Sequence, residues 1–410
     1  MSEARRQIER VARLSYGRLV AILSARLGSP HRAEEMLAES LLAALETWPE
    51  RGVPDNPEGW LLKTARRKAI DAWRREATAH AGQQEIIAMI EERTAQVGDG
   101  AADPRLNLMF VCAHPAIDAA IRAPLMLQLV LGLDARRMAS VFLVAPGTLG
   151  QRLTRAKAKI ETSAIGFELP DEADRPARVA DVLDAIYAAY AVGYNGMPAG
   201  DRKAADLTQE AIWLVSLICA ELPGEAEAHG LFATMLFAEA RRPARLDPQT
   251  GALVPLGRQD PANWNARLLD DAERALANAA RHASLGRYQL EAAIQAVHAA
   301  RRRTAETDWD ELERLYRGLV AIAPTIGART GHAAVLIEAA GPETALDALD
   351  AMPEVQRRSY QPWWATRAHA LARLGHKADA HEAFARAIGL SDDEAARRYL
   401  WTQADMLRPR

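Results

Sequence analysis

Cysteine is nearly absent from this chain. Cys112 and Cys219 stand far apart and in no CxxC pair, which excludes a disulfide framework and a cysteine zinc site and fits a reducing compartment. Long apolar runs are also missing. The longest, such as residues 212–220, fall well short of the ~20 residues of a membrane-spanning helix, and the N-terminus has no apolar signal core. The expectation is a soluble, cytoplasmic chain without a membrane partner. Catalytic signatures are lacking too: there is no HExxH, no G-x-G-x-x-G, no P-loop and no G-x-S-x-G elbow. Cys112-Ala-His114 reads as a pair of core positions. No catalytic residue, metal or cofactor is expected, and the chain does not read as an enzyme.

What is present is an uneven distribution of charge. The 410 residues carry 51 Lys plus Arg against 54 Asp plus Glu, a net charge of -3, with 49% hydrophobic residues, enough for more than one core. The sum hides two opposed parts. Residues 1–160 hold 23 basic and 18 acidic side chains, whereas residues 161–410 hold 28 and 36. Within the basic front, residues 63–75 contain six basic side chains and one acid, and residues 136–159 contain six and none. These two clusters are the candidates for nucleic acid.

Ala, Leu, Arg and Glu dominate, β-branched runs are short, and apolar residues recur at spacings of three and four, so the chain is expected to be all-α. One such stripe runs through Ala33, Met36, Leu37, Leu41, Ala44, Leu45 and Trp48. Breaker-rich stretches at residues 77–104 and 166–176 divide the chain into a first domain over 1–78, a linker over 79–105, a second domain over 106–162, a linker over 163–176 and a long extension over 177–410. In the extension, Gly341 and Gly375 sit 34 residues apart in similar Ala-rich surroundings, the period of a tetratricopeptide repeat. Residues 246–256, with Gly251, are the one stretch that reads as a short hairpin.

Proline at position 57, after a capping Asn56, starts a helix through Arg75. At about 100° per residue, Leu62, Ala65, Ala69, Ala72 and Trp73 share one side, and Lys63, Arg66, Arg67 and Arg74 gather opposite. A cationic face of this kind either is simply solvated or neutralises phosphates, with Trp60 placed to stack on an unpaired base. The second cluster has helix-turn-helix spacing: a short helix over 134–142, a turn at 143–145 and a longer helix over 146–160. Its outward residues are Thr148, Gln151, Arg152, Arg155 and Lys159, types that bond base edges or phosphates. Any αα-hairpin shares this outline, and Ala145 is a poor N-cap. Gly147 and Gly150 weaken the second helix by up to about 1 kcal/mol each relative to alanine.

These segments carry a resemblance. Val53-Pro-Asp-Asn-Pro-Glu-Gly-Trp60-Leu-Leu-Lys-Thr-Ala-Arg66-Arg-Lys-Ala-Ile-Asp71-Ala-Trp-Arg74-Arg75, Leu131-Gly-Leu133 and Gln151-Arg152-Leu-Thr-Arg155-Ala-Lys157-Ala-Lys159-Ile160 resemble an extracytoplasmic-function sigma factor of the sigma-70 family, in the subgroup with a long tetratricopeptide-containing C-terminal extension. The resemblance continues through Arg242-Pro-Ala-Arg245, Gln259-Asp260, Trp264, Tyr288 to His298, and Thr307 to Tyr316. It departs at Tyr190-Ala-Val-Gly-Tyr194, at Trp213 and at Arg329-Thr-Gly-His332.

The resemblance implies a subunit that directs core RNA polymerase to promoter DNA and initiates transcription. The first domain would be sigma region 2, docking on the polymerase clamp through Glu34, Glu35 and Glu39. It would engage the minus-ten element through Asn56, Trp60, Lys63, Arg66, Arg67, Arg74 and Arg75. The second domain would be sigma region 4, reading the minus-thirty-five element through Thr148, Gln151, Arg152, Arg155, Lys157 and Lys159. Residues 77–104 would thread toward the polymerase active-site channel. The extension would regulate the front or dock a protein partner. Two other readings are a helical-repeat adaptor with a vestigial sigma-like half and a conventional helix-turn-helix regulator.

Overall fold

A computed structural model of the chain describes residues 3–77, 103–139, 142, 144–163, 165–195, 202–282 and 284–407. Among these the only extended pairing is one isolated antiparallel bridge, Leu246 to Leu253. The protein is otherwise helical, as the apolar periodicity requires, and it divides into two compact units, residues 1–192 and 193–410. No helix among the described residues is long and apolar enough to cross a membrane.

The first unit begins with α1 (Glu3–Leu14), α2 (Tyr16–Leu27), α3 (Pro30–Arg51) and α4 (Pro57–Ala77). Ser29 caps α3 by accepting from the Arg32 amide at 3.2 Å, and Pro30 supplies the first helical φ. Asn56 performs the same service for α4, its side-chain oxygen accepting from the Gly59 amide at 2.8 Å. Helices α2, α3 and α4 enclose Leu19, Leu23, Leu37, Trp48, Leu61 and Ala65, each at most 2% exposed. The linker expected at residues 79–105 and its threading role lie largely outside the described residues.

The chain re-enters at α5 (Pro104–Cys112) and continues through α6 (Ala119–Leu131), α7 (Ala135–Ala139), α8 (Pro146–Thr162) and α9 (Arg175–Asn195). α5 is buried almost all round, through Leu106, Leu108, Met109, Phe110, Val111 and Cys112. Such a helix needs partners on several sides. It finds them in α2 and α6, so the first and second expected domains share one core. Between α7 and α8, positions 140, 141 and 143 lie outside the described residues, so only Val144 and Ala145 of the expected turn are placed.

The second unit is built from α10 (Arg202–Glu221), α11 (Ala226–Arg241), α12 (Ala266–Ala279), α13 (Arg287–Thr304), α14 (Trp309–Ile322), α15 (Ile326–Ala339), α16 (Pro342–Asp350), α17 (Glu354–Arg357), α18 (Gln361–Arg373), α19 (Lys377–Gly389) and α20 (Glu394–Asp405). Short 3-10 turns occupy Arg242–Ala244, Leu256–Arg258 and Pro261–Asn263. The pairs α15–α16 and α18–α19 turn at Gly341 and Gly375, whose φ angles of +99° and +79° favour glycine. The repeated alanines lie at the helix contacts: Ala333, Ala345, Ala368, Ala370, Ala380, Ala383 and Ala387 are at most 3% exposed.

Helix α13 is capped from another helix. Glu227 on α11 accepts from the amides of Tyr288 at 2.9 Å and Gln289 at 3.0 Å, a carboxylate at the positive end of a helix. The stretch read as a hairpin closes on the antiparallel Leu246–Leu253 bridge with Gly251 at φ +65°, and it is tied to the last helix: the Leu253 amide donates to Ala395 O at 3.0 Å, Arg398 to Thr250 O at 2.8 Å, and the neighbouring Arg245 pairs with Asp393 at 3.4 Å.

Candidate nucleic-acid interface

Helix α4 is anchored from below and open above. Glu58 in its first turn accepts from Ser15 Oγ at 2.6 Å and Arg18 at 3.1 Å, which holds the helix against α2. Lys63, Arg67, Arg74 and Arg75 stand on its exposed side. Arg66 is half-buried, with its Nε shielded from solvent. Asp71 lies 3.8 Å from Arg74 and lends its backbone carbonyl to Arg75 Nε at 3.2 Å, so the one acid of this face positions two of its cations. Trp60 is half-buried rather than open. Its ring meets the buried Trp48 edge-on at 5.5 Å, leaving only part of its surface for a base. Asn56 is exposed, but its oxygen is spent on the cap of α4.

On α8, Leu149, Leu153, Ala156 and Ile160 are buried, and Thr148, Gln151, Arg152, Arg155 and Lys159 are exposed, so the expected outer face forms. Ala145 gives no side-chain cap, and the helix starts on Pro146 alone. A methyl group at Gly147 or Gly150 would meet nothing within 4 Å, which leaves the first turn of this face open.

Lys157 departs from the expected set. It is 9% exposed, and its ammonium lies 2.6 Å from Glu34 on α3, so it is not on the open face with Arg152 and Arg155. Glu34 is equally committed, its other oxygen accepting from Tyr16 Oη at 3.0 Å. Burial, reinforced by the Glu34 carboxylate, pushes the Tyr16 hydroxyl and the Cys112 thiol far above their ordinary values, and both stay protonated. The three acids of α3 expected to dock on the clamp therefore differ. Glu34 is turned inward, Glu39 pairs with Lys68 at 3.1 Å, and Glu35 is exposed.

Sequence reasoning missed Leu42 and Leu45, which are 60% and 42% exposed on α3 beyond Glu35 and Glu39. Two bare leucines in register with acids form a surface suited to a protein partner. The signal was present in the i, i+3, i+7, i+10 spacing of Glu35, Ala38, Leu42 and Leu45. A cleft of about 560 Å³ beside it is lined by Glu35, Met36, Glu39, Trp73 and Arg75, with Arg32 stacked over Trp73 at 5.3 Å. Among the described residues no group of His, Cys, Asp and Glu could hold a metal ion.

The three departures in the extension have distinct settings. The Tyr194 ring lies between Arg242 and Arg245, at 4.9 and 4.7 Å, with its hydroxyl donating to Ala238 O at 3.3 Å. Trp213 is 39% exposed, and His332 faces Glu313 at 3.4 Å.

Comparison with known proteins follows the same division. Residues 12–78, α4 included, match the family model described as sigma-70 region 2, and residues 178–280 match one described as a family of unknown function (DUF6596). An uncharacterized protein of Rhizobium meliloti (strain 1021) is 36% identical over 381 residues, covering 92% of this chain and 90% of that one. No solved structure matches the chain. The chain carries a sigma-70 region 2 domain at its N-terminus and belongs to one family with this near full-length Rhizobium relative.

Proposed function

We propose that the protein is an alternative sigma factor of the extracytoplasmic-function kind, a non-catalytic subunit that directs core RNA polymerase to promoter DNA. The observation that carries this reading is the sigma-70 region 2 match over residues 12–78, laid on a helix whose open side presents Lys63, Arg67, Arg74 and Arg75. In this reading α4 engages the minus-ten element, α7 and α8 act as a region 4 helix-turn-helix at the minus-thirty-five element, and Glu35, Leu42 and Leu45 dock on the polymerase clamp. Each basic face neutralises a few phosphates, so promoter binding by the isolated protein is weak. The polymerase supplies the rest by holding both faces at one spacing. The helix pairs at Gly341 and Gly375 act as tetratricopeptide-like units of an extension that regulates the front or docks a partner.

Capture of core RNA polymerase tests the docking surface. Full-length protein is expected to co-elute with core enzyme, and Glu35→Arg with Leu42→Ala to weaken capture at least tenfold while the melting temperature stays put, since both side chains are exposed. Unchanged capture by the variant would place the contact elsewhere.

A further inference from the structure

Between α11 and α12 the chain leaves the helical array and returns to the point it left. Asn265, which caps α12, donates its backbone amide to Ala240 O near the end of α11 at 2.8 Å, so residues 241–264 form a loop with joined ends. The outer part of the loop is pre-shaped. The Asp247 carboxylate accepts from the amides of Gln249 at 3.0 Å and Thr250 at 2.7 Å, and the Val254 amide donates to Arg245 O at 2.8 Å. The end of the loop is fixed: Gln259 is buried and accepts from Trp264 Nε1 at 3.3 Å, and Trp264 sits in the apolar core of α11, α12 and α13.

The middle of the loop, residues 245–258, bridges two distant ends of the array. Helix α13 packs on α14, α14 on α15, α15 on α16 and α18, α18 on α19, and α19 on α20. One short segment nonetheless touches both α13 and α20. Arg301 on α13 donates to Leu256 O and to Gln259 O, each at 2.6 Å. On the α20 side, the Leu253 amide donates to Ala395 O at 3.0 Å, Arg398 donates to Thr250 O at 2.8 Å, and Asp393 receives Arg245 at 3.4 Å. Arg258 stands close enough to His369 on α18 and Tyr399 on α20 for its charge to act on both. Every residue from Arg245 to Arg258 is half-buried or exposed. The segment is therefore held mainly by main-chain hydrogen bonds and charge, as a bound extended peptide is held.

We propose that residues 245–258 are a releasable strap lying in a peptide groove between α13 and α20, and that the outside ligand of this groove is an extended peptide that replaces the strap bond for bond. The partner-docking role of the extension comes from the reading above; the occupied groove does not. Release alone forfeits the bonds to Arg301, Arg398 and Ala395 O, so it is favoured when a ligand restores them. That ligand must offer carbonyls to the two arginines, an amide to Ala395 O and a basic side chain to Asp393. Because Ala240 and Asn265 stay joined, the strap can swing out without moving α11 or α12. As a tethered competitor it acts at roughly millimolar effective concentration. The apparent affinity for an outside peptide is lowered to match the fraction of molecules with the strap out.

The test titrates the full-length protein against a dye-labelled synthetic peptide with the sequence of residues 245–259, read by fluorescence anisotropy. One variant replaces residues 246–257 by a Gly-Ser run of equal length, which weakens the internal competitor and leaves the groove intact. A second, Leu253→Pro, removes only the amide that donates to Ala395 O. The peptide is expected to bind the Gly-Ser variant at least tenfold tighter than wild type, with Leu253→Pro in between. Arg398→Ala, an exposed change made in the Gly-Ser variant, should weaken peptide binding about tenfold. Equal binding to wild type and both strap variants would mean that the strap does not cover the site. Binding to none of them, or binding indifferent to Arg398→Ala, would mean that the groove is no peptide site. Should the Gly-Ser variant not fold, Leu253→Pro and its Arg398→Ala derivative decide. Capture of core polymerase by the same proteins is measured in parallel: its absence sinks the sigma reading and leaves the peptide result to decide the strap.

Discussion

Replacing Arg152 and Arg155 together by alanine is expected to abolish selective promoter binding by the holoenzyme. Both side chains are exposed on α8, and neither has a hydrogen-bond or ion-pair partner among the described residues, so their loss costs the fold little. A bidentate arginine on a guanine edge is worth about 1–3 kcal/mol of discrimination. Two together account for roughly 30-fold to 10⁴-fold between a cognate promoter and a scrambled one. If they touched phosphates instead, affinity would drop on all sequences alike and the logarithmic salt slope would fall by about two units. Filter binding of holoenzyme to both DNAs across a salt series separates these outcomes. Unchanged selectivity together with an unchanged slope would remove α8 from the interface.

The extension is expected to lose stability steeply in mild acid, through two half-buried imidazoles packed on aromatic rings. His298 lies edge-on to Trp309 at 6.4 Å, and burial followed by the charges of Arg241 and Arg301 depresses it from 6.5 to about 4. His369, edge-on to Phe384 at 5.1 Å and 3.4 Å from Tyr399 Oη, is depressed to about 4 by burial and then by Arg258. Each is neutral in the fold and free to charge when unfolded. Between pH 6.5 and 4 the unfolded state therefore binds more protons, and stability falls as pH falls through that window. Integrated from pH 7.5 to 5, the cost is about 2 kcal/mol for each histidine. For a unit of this size, that is a drop of roughly 10 °C in melting temperature for the pair. His298→Asn with His369→Asn should lower stability at pH 7.5 and flatten most of the decline down to pH 5. A decline of full size in the double variant would place the acid sensitivity in other groups.

Much of the front half was legible in its residues. Pro57 after Asn56 and Pro146 after Ala145 mark the starts of α4 and α8, and the buried Leu149, Leu153, Ala156 and Ile160 follow the 3.6-residue period. Lys157 was misjudged because charge was taken to mean outward. It lies four residues after Leu153, about 40° away around the helix, on the side that faces α3. Its partner Glu34 is 123 residues earlier, and no local pattern connects them. Leu45 fails in the opposite sense. It fits the apolar stripe of α3, yet α2, α4 and α8 cover other sides of that helix and leave it 42% exposed. The Gly341 and Gly375 turns were readable because positive φ is a local demand. The cap that Glu227 provides for α13 was not, since it joins residues 61 and 62 apart.

The sharpest test of the account is run-off transcription with core RNA polymerase on genomic promoter fragments, with the full-length chain added as the only specificity subunit. The account predicts discrete transcripts that core alone does not make and that Arg152→Ala with Arg155→Ala removes. Transcript levels equal to those of core alone, on fragments that the reconstituted complex binds, would contradict it.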